Sequence, residues 1–169
     1  MADTTARVLM GTWEIQHYLT FKGTDGTFGT PLKVTEDTKA DTKVDDSEYK
    51  PKYLDRKEMP KYVMGRSLSI EFEQDAMIPG EVQSVIFAHE DEVNIPCQYM
   101  RTINYDPATG TACPAAALIA KRAEATLTPD PISGDSGDPA KVTYTVNKSG
   151  EWEYGTYDPA TKTFTAKTA

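Results

Sequence analysis

From Val8 to Phe21, branched and aromatic residues alternate with polar ones: Trp13, Ile15, His17, Leu19 and Phe21 fall on one side, Glu14, Gln16, Tyr18 and Thr20 on the other. A period of two is that of a half-buried strand. Gly23, Asp25 and Gly26 then supply the residues a tight reversal needs, and Phe28 to Val34 returns as a second strand, so the opening unit reads as a hairpin. The clearest strand starts at Val63, where Met64, Arg66, Leu68, Ile70 and Phe72 alternate with Gly65, Ser67, Ser69, Glu71 and Glu73. Val82, Val85, Ile86 and His89 follow at i, i+3, i+4 and i+7, with Pro79 and Glu81 as helix-start residues and Pro96 beyond the end, which predicts one helix over Pro79 to Asp91. The remainder is again β-like, over 97–105, 115–127, 142–146, 152–157 and 163–167, and reads as a meander with an exposed Gly/Asp/Ser loop from Pro129 to Pro139.

One stretch does not follow this pattern. Residues 35–61 are charged and poor in aliphatics, with acids early (Glu36, Asp37, Asp41, Asp45, Asp46, Glu48) and bases late (Lys50, Lys52, Arg56, Lys57, Lys61). A loop of this length inside a compact domain calls for a function of its own. It is predicted to be a long extended arm inserted between strands. Tyr49, Tyr53 and Leu54 are its apolar anchors and Lys50, Lys52, Arg56 and Lys57 its charged ones, the composition of a docking segment rather than of a plain linker.

Composition narrows the classes. The 169 residues suit one domain, 1–169, because two would each be small and hard to stabilise. A hydrophobic fraction of 38% is low, yet nine Tyr, five Phe and two Trp are more aromatics than a disordered acidic chain carries. The formal net charge of −8 argues against gripping a phosphate backbone. Cys97 and Cys113 form neither a disulfide framework nor a zinc spacing. No basic-then-apolar leader is visible and no run nears the ~20 apolar residues that cross a bilayer, so a soluble product that leaves only inside a larger particle is expected.

The candidates for chemistry are weak. Gly134-Asp-Ser-Gly137 copies the tetrapeptide around a serine-protease nucleophile, but no base, buried acid or oxyanion hole accompanies it, and it reads as a flexible loop. His89-Glu-Asp-Glu92 sets adjacent metal-capable side chains in different directions around a helix, and Asp130, Asp135 and Asp138 do not follow a calcium-loop spacing. Phosphate loops and dinucleotide fingerprints are absent from the sequence. The expectation is a non-enzyme with no catalytic residue, no metal and no cofactor. Tyr105-Asp-Pro-Ala-Thr and Tyr157-Asp-Pro-Ala-Thr repeat one turn signal rather than a fold unit.

The order of these elements resembles bacteriophage major tail proteins: a hairpin opening, a charged arm (Thr35 to Lys61), the strand Tyr62-Val-Met-Gly-Arg-Ser-Leu-Ser-Ile-Glu-Phe-Glu, a single helix, and closing strands that end in Gly150-Glu-Trp-Glu-Tyr-Gly-Thr156. The resemblance covers most of the chain but rests on order and texture, since that family has no short signature. It implies a mainly β fold, a β-sandwich or open β-barrel with one flanking α-helix. It also implies a homo-oligomer of rings, usually hexameric, stacked into a tail tube through whose lumen DNA passes without specific binding. Tape measure, terminator and sheath proteins would then be its partners, the virion tail its location after assembly in the bacterial host cytoplasm, and no membrane would be involved. Two other readings stay open. One is a carbohydrate-binding or adhesive β-sandwich with Trp152, Tyr154 and Tyr157 as an aromatic platform; the other is a different virion part, such as a head-tail connector.

Overall fold

The computed structural model describes residues 10–35, 37–52 and 60–167. Nine strands and one helix follow in the order β1 (Ile15–Phe21), β2 (Leu32–Lys33), β3 (Asp37–Tyr49), β4 (Tyr62–Asp75), α1 (Glu81–Ala88), β5 (Ile95–Ile103), β6 (Leu118–Pro129), β7 (Lys141–Lys148), β8 (Glu153–Asp158) and β9 (Thr163–Ala166). All strands join one antiparallel sheet in the order β2-β1-β5-β6-β7-β4-β3, with β8 on β6 and β9 on β8. The fold is thus mainly β with one helix, as expected, and the strands form a single unclosed sheet rather than two separate ones.

The sheet curls strongly. β1 and β4 stand three strands apart in the pairing order, yet the rings of His17 and Phe72 meet edge to face at 5.2 Å. Phe72 also stacks on Tyr144 at 5.2 Å, and Tyr99 meets the edge of Trp152 at 6.1 Å. Around these rings pack Leu19, Val34, Ile70, Cys97, Leu127, Val142 and Val146, which line the concave face and form the main core. Closure is completed by side chains: buried Gln74 of β4 donates to the Thr35 carbonyl beyond β2. Val82 and Ile86 of α1 pack into the same core. Buried Gln83 accepts from the Met77 amide (2.7 Å) and donates to the Asp75 carbonyl (2.9 Å), so it binds the helix to the end of β4. A smaller core lies on the convex face, where Tyr18 packs on Tyr157 at 4.9 Å beside Met100 and Ala120.

Several expectations are corrected. The first strand begins at Ile15; Thr12–Glu14 is a 3₁₀ turn closed by the Glu14 amide on the Gly11 carbonyl. Trp13 is 77% exposed rather than inward, its indole folded so closely over Gly11 that a Cβ there would lie 2.3 Å from the ring. Val8 lies outside the described residues. The opening hairpin exists in reduced form, through Tyr18↔Lys33 and Leu19↔Leu32. The helix is shorter than its stripe, with Gly80 as N-cap. Pro96 lies in β5 instead of terminating the region.

The closing strands are not a simple meander. β6 pairs β5 along one edge, while its other edge is divided between β7 (Ala125–Pro129) and β8 (Leu118–Arg122). The chain passes from β7 to β8 at Gly150, whose amide, with that of Ser149, donates to the Glu124 carbonyl at 3.0 and 2.9 Å. A Cβ on Gly150 would stand 3.0 Å from Glu124 Cβ, so the missing side chain permits the approach. The repeated turn signal gives one geometry twice. Asp106 accepts from the Ala108 amide and Asp158 from the Ala160 amide, and four residues after each Asp the backbone is left-handed, at Gly110 (φ 69°) and Lys162 (φ 53°).

Candidate assembly interface

The segment expected to be an irregular arm begins as a strand. β3 pairs β4 from Asp37↔Gln74 to Tyr49↔Tyr62, whereas β7 reaches only Ser69 to Asp75 of β4. Tyr62 to Leu68 and its β3 partners therefore run on as a two-stranded ribbon, roughly 20 Å past the last β7 pair at ~3.3 Å per residue. Tyr53, Leu54, Arg56 and Lys57, four of the expected anchors, lie outside the described residues. Tyr49, Lys50 and Lys52 are described, and all three are exposed.

The two ribbon faces differ. Directly paired residues share a face, so Thr42, Val44 and Asp46 lie with Ile70, Leu68 and Arg66, continuing the line of the core, and Lys39, Lys43 and Asp45 lie on the other side with Glu73, Ser69 and Ser67. A register shift between Ser47 and Glu48 leaves Met64 as the extra residue of a bulge. Val44, Tyr49, Tyr62, Val63 and Met64 are exposed large hydrophobics gathered on this one ribbon.

The charges of β3 and β4 do not wait for another molecule. Glu71 accepts from Lys39 (2.8 Å) and Lys43 (2.6 Å), Asp46 from Arg66 (2.7 Å), and Glu48 from Lys50 (2.8 Å) and Lys61. The two lysines hold the Glu71 carboxyl down at about 2, and Asp46 and Glu48 are pulled below the ordinary carboxylate range by Arg66 and by Lys50 with Lys61. Lys50 is thus paired within its own hairpin.

A second group of charges was not singled out from the sequence. Across the concave face, β1, β5, β6 and β8 set His17, Arg101, Lys121 and Tyr154 in one register row. Like charges directly opposite one another destabilise a sheet. Lys121 Nζ stands 4.2 Å from the centre of the Trp152 ring, and Lys148 Nζ approaches it at 5.6 Å. Burial first, then Arg101 and Lys148, push the Lys121 pKa down. Among the described residues no carboxylate lies within 4.0 Å of Arg101, Lys121 or Lys148, and Arg101 Nε is buried without a hydrogen-bond partner. The next row outward is Ile15, Ile103 and Ile119, all half-buried.

The other candidates separate in space. Trp152 is half-buried beneath the lysines, Tyr154 is 59% exposed, and Tyr157 is 1% exposed in the convex core, so the three make no shared platform. Ser136 lies in an exposed loop; His17 Nδ1 meets the Tyr99 hydroxyl at 2.8 Å and His89 Nδ1 meets Glu92 at 3.0 Å. Cys97 is buried and free, its pKa pushed up to about 12 by burial, and Cys113 is free. Among the described residues no group of three His, Cys, Asp or Glu is placed to hold a metal, and no helix is long and apolar enough to cross a membrane.

No family model and no curated protein matches the chain. Solved structures do match. A chain from the tail of an empty GTA particle, computed with helical refinement in C6 symmetry, superposes with a TM-score of 0.52 at 12% identity, over 86% of this chain and 98% of that one. Weaker likenesses are to chains in the six-fold symmetrised baseplate of the anti-feeding prophage (TM-score 0.48, 7% identity, 87% and 97% covered) and in that particle's tube-terminating cap (0.45, 14%, 92% and 99%). The chain accordingly shares its fold with a component of a six-fold symmetric tail, and the expected likeness to tail proteins is met at the level of fold.

Proposed function

We propose that this protein is a non-enzymatic structural subunit of a viral tail tube, which assembles with copies of itself into hexameric rings that stack into a conduit for DNA. The observation that carries the reading is the β3–β4 ribbon. A two-stranded ribbon is marginal in water on its own, and this one exposes Tyr49, Tyr62, Val63 and Met64 beyond the body of the sheet. Such a projection gains its stability by lying against another surface, and docking on a different patch of an identical subunit is a heterologous contact that generates rings or stacks. The fold shared with the GTA tail chain, nearly all of whose length is covered, supports the same reading. Exposed Tyr49, Lys50 and Lys52 belong to this contact, together with Tyr53, Leu54, Arg56 and Lys57 farther along the segment. In the virion tail the further partners are a tape measure, a terminator and a sheath.

The test removes the ribbon and keeps the sheet. Asp45 and Ser67 are directly paired, so an Asn-Gly turn can join them in place of residues 46–66. The shortened chain is expected to retain a cooperative melt by circular dichroism and to stay monomeric by light scattering, under conditions where the full chain forms rings or tubes in negative-stain electron microscopy. Tubes of normal length from the shortened chain would refute the role given to the ribbon. A full chain that remains monomeric across concentration, salt and temperature would refute the assembly reading itself.

A further inference from the structure

We propose that the row of Arg101, Lys121 and Lys148 around Trp152 is the socket of the inter-subunit contact, and that its occupant is the acidic turn Glu90-Asp91-Glu92 at the end of α1 in a second copy of this chain. The inference rests on the assembly reading and gives that contact its two faces.

The cations are assembled at a cost. Arg101 and Lys121 are a directly opposed pair, Lys148 shares the Trp152 ring with Lys121, and the described residues of the chain bring no carboxylate to any of them. Elsewhere the same chain pairs Lys39, Lys43, Lys50, Lys61, Lys141, Arg66 and Arg122 with its own acids. A buried guanidinium nitrogen without an acceptor is the kind of group that a partner's carboxylate satisfies. The row is accessible at its β8 end, where Tyr154, directly opposite Lys121, is 59% exposed. Its rim of Ile15, Ile103 and Ile119 favours a protein surface over a polyphosphate, and the net charge of −8 opposes nucleic acid.

The occupant is identified by charge and position. Glu90, Asp91 and Glu92 are exposed, and Val93, next in the chain, is an exposed hydrophobic, so acid and apolar surface match base and apolar surface. The acidic turn leads directly into the start of β5, whereas Arg101 and Ile103 close that strand, roughly 20 Å away at ~3.3 Å per residue. The two patches therefore stand at opposite ends of one strand. A molecule with complementary ends cannot satisfy both within itself and joins head to tail. The ribbon points toward the socket end, since β4 and β6 both run opposite to β5.

Charge reversal tests this. Lys121→Glu with Lys148→Glu, and separately Glu90→Lys, Asp91→Lys with Glu92→Lys, are each expected to raise the concentration needed for assembly by about tenfold or more. All five changes in one chain should restore assembly, because the ends are again complementary. Should the glutamate pair fail to fold by circular dichroism, Lys121→Gln with Lys148→Gln weakens the contact without reversing it. Carbodiimide coupling of mixed unlabelled and ¹⁵N-labelled wild-type protein should join Lys121 or Lys148 to Glu90, Asp91 or Glu92 of another copy. Wild-type assembly that is indifferent to either reversal, or a folded five-fold variant that stays apart, overturns the socket while leaving the assembly reading in place. Binding of a double-stranded DNA oligonucleotide that is lost with the Lys121→Glu pair assigns the row to phosphate and overturns it equally. A wild-type chain that never associates overturns both.

Discussion

The curled body of the sheet and the ribbon that leaves it are parts of one continuous hairpin, held by different forces. In the body, Phe72, Tyr144, Leu19 and Leu127 have 0% exposure and their contacts are aromatic and aliphatic. In the ribbon, the large apolar side chains are exposed, and the cross-strand contacts are ion pairs at the surface, which contribute little to stability. Apolar residues of the first kind fold the chain. Those of the second kind bury little surface within the subunit.

The sharpest way to break that contrast is to make equivalent truncations in both parts. Phe72→Ala should cost about 3–5 kcal/mol, read as a lowered denaturant midpoint, because it empties the centre of the aromatic core. Gly155→Ala should come next, at about 1–3 kcal/mol by the same measurement, since even a methyl there needs β9 to shift: its Cβ would lie 2.1 Å from the Thr165 carbonyl oxygen. Lys162→Gly should stabilise by about 1 kcal/mol, because Lys162 holds the left-handed position that Gly110 occupies in the matching turn. Met64→Ser should leave the melting temperature of the monomer unchanged and reduce assembly in light scattering; a destabilised monomer would show that the ribbon belongs to the folding unit after all.

The smallest effect is set by pH. A carboxyl whose folded pKa is depressed contributes stability that is present above its ordinary value and lost as pH falls through the folded one. For Glu71, between Lys39 and Lys43, that window runs from about 4.5 down to about 2. Amide resonances of Lys39 and Lys43 should shift in that interval while those of Leu127 and Val146 stay in place. A simultaneous shift would mean that the outer strand β3 and the core respond as one cooperative unit.

Sequence periodicity found the strands whose inward positions are mostly large: Ile15, Leu19 and Phe21 in β1, Leu68, Ile70 and Phe72 in β4, Tyr99 and Ile103 in β5, and Val142, Tyr144 and Val146 in β7. It missed β3 because Ala40, Thr42 and Val44 are weak apolar signals beside four alternating charges, and β4 supplies the pairing that makes the strand. Gln74 and Gln83 were invisible for the opposite reason, as polar residues buried only because backbone carbonyls await them. The division of β6 between β7 and β8 depends on a close approach at Gly150 that no local pattern records. The cationic row could not be read at all, since Arg101, Lys121 and Lys148 are brought together by registers between distant segments.

The pairing of β1 with β5 has a further consequence, for synthesis. Leu19 lies opposite Tyr99, and Phe21 opposite Cys97, so β1 meets its main partner only after the long stretch between them has been made. Until then β1 has only the short β2 beside it, and closing so long a loop carries an entropic cost that nearer pairs such as β6 with β7 or β8 with β9 do not. A nascent chain arrested before Ile95 therefore exposes Tyr18, Leu19 and Thr20, which are buried once β1 and β5 have met.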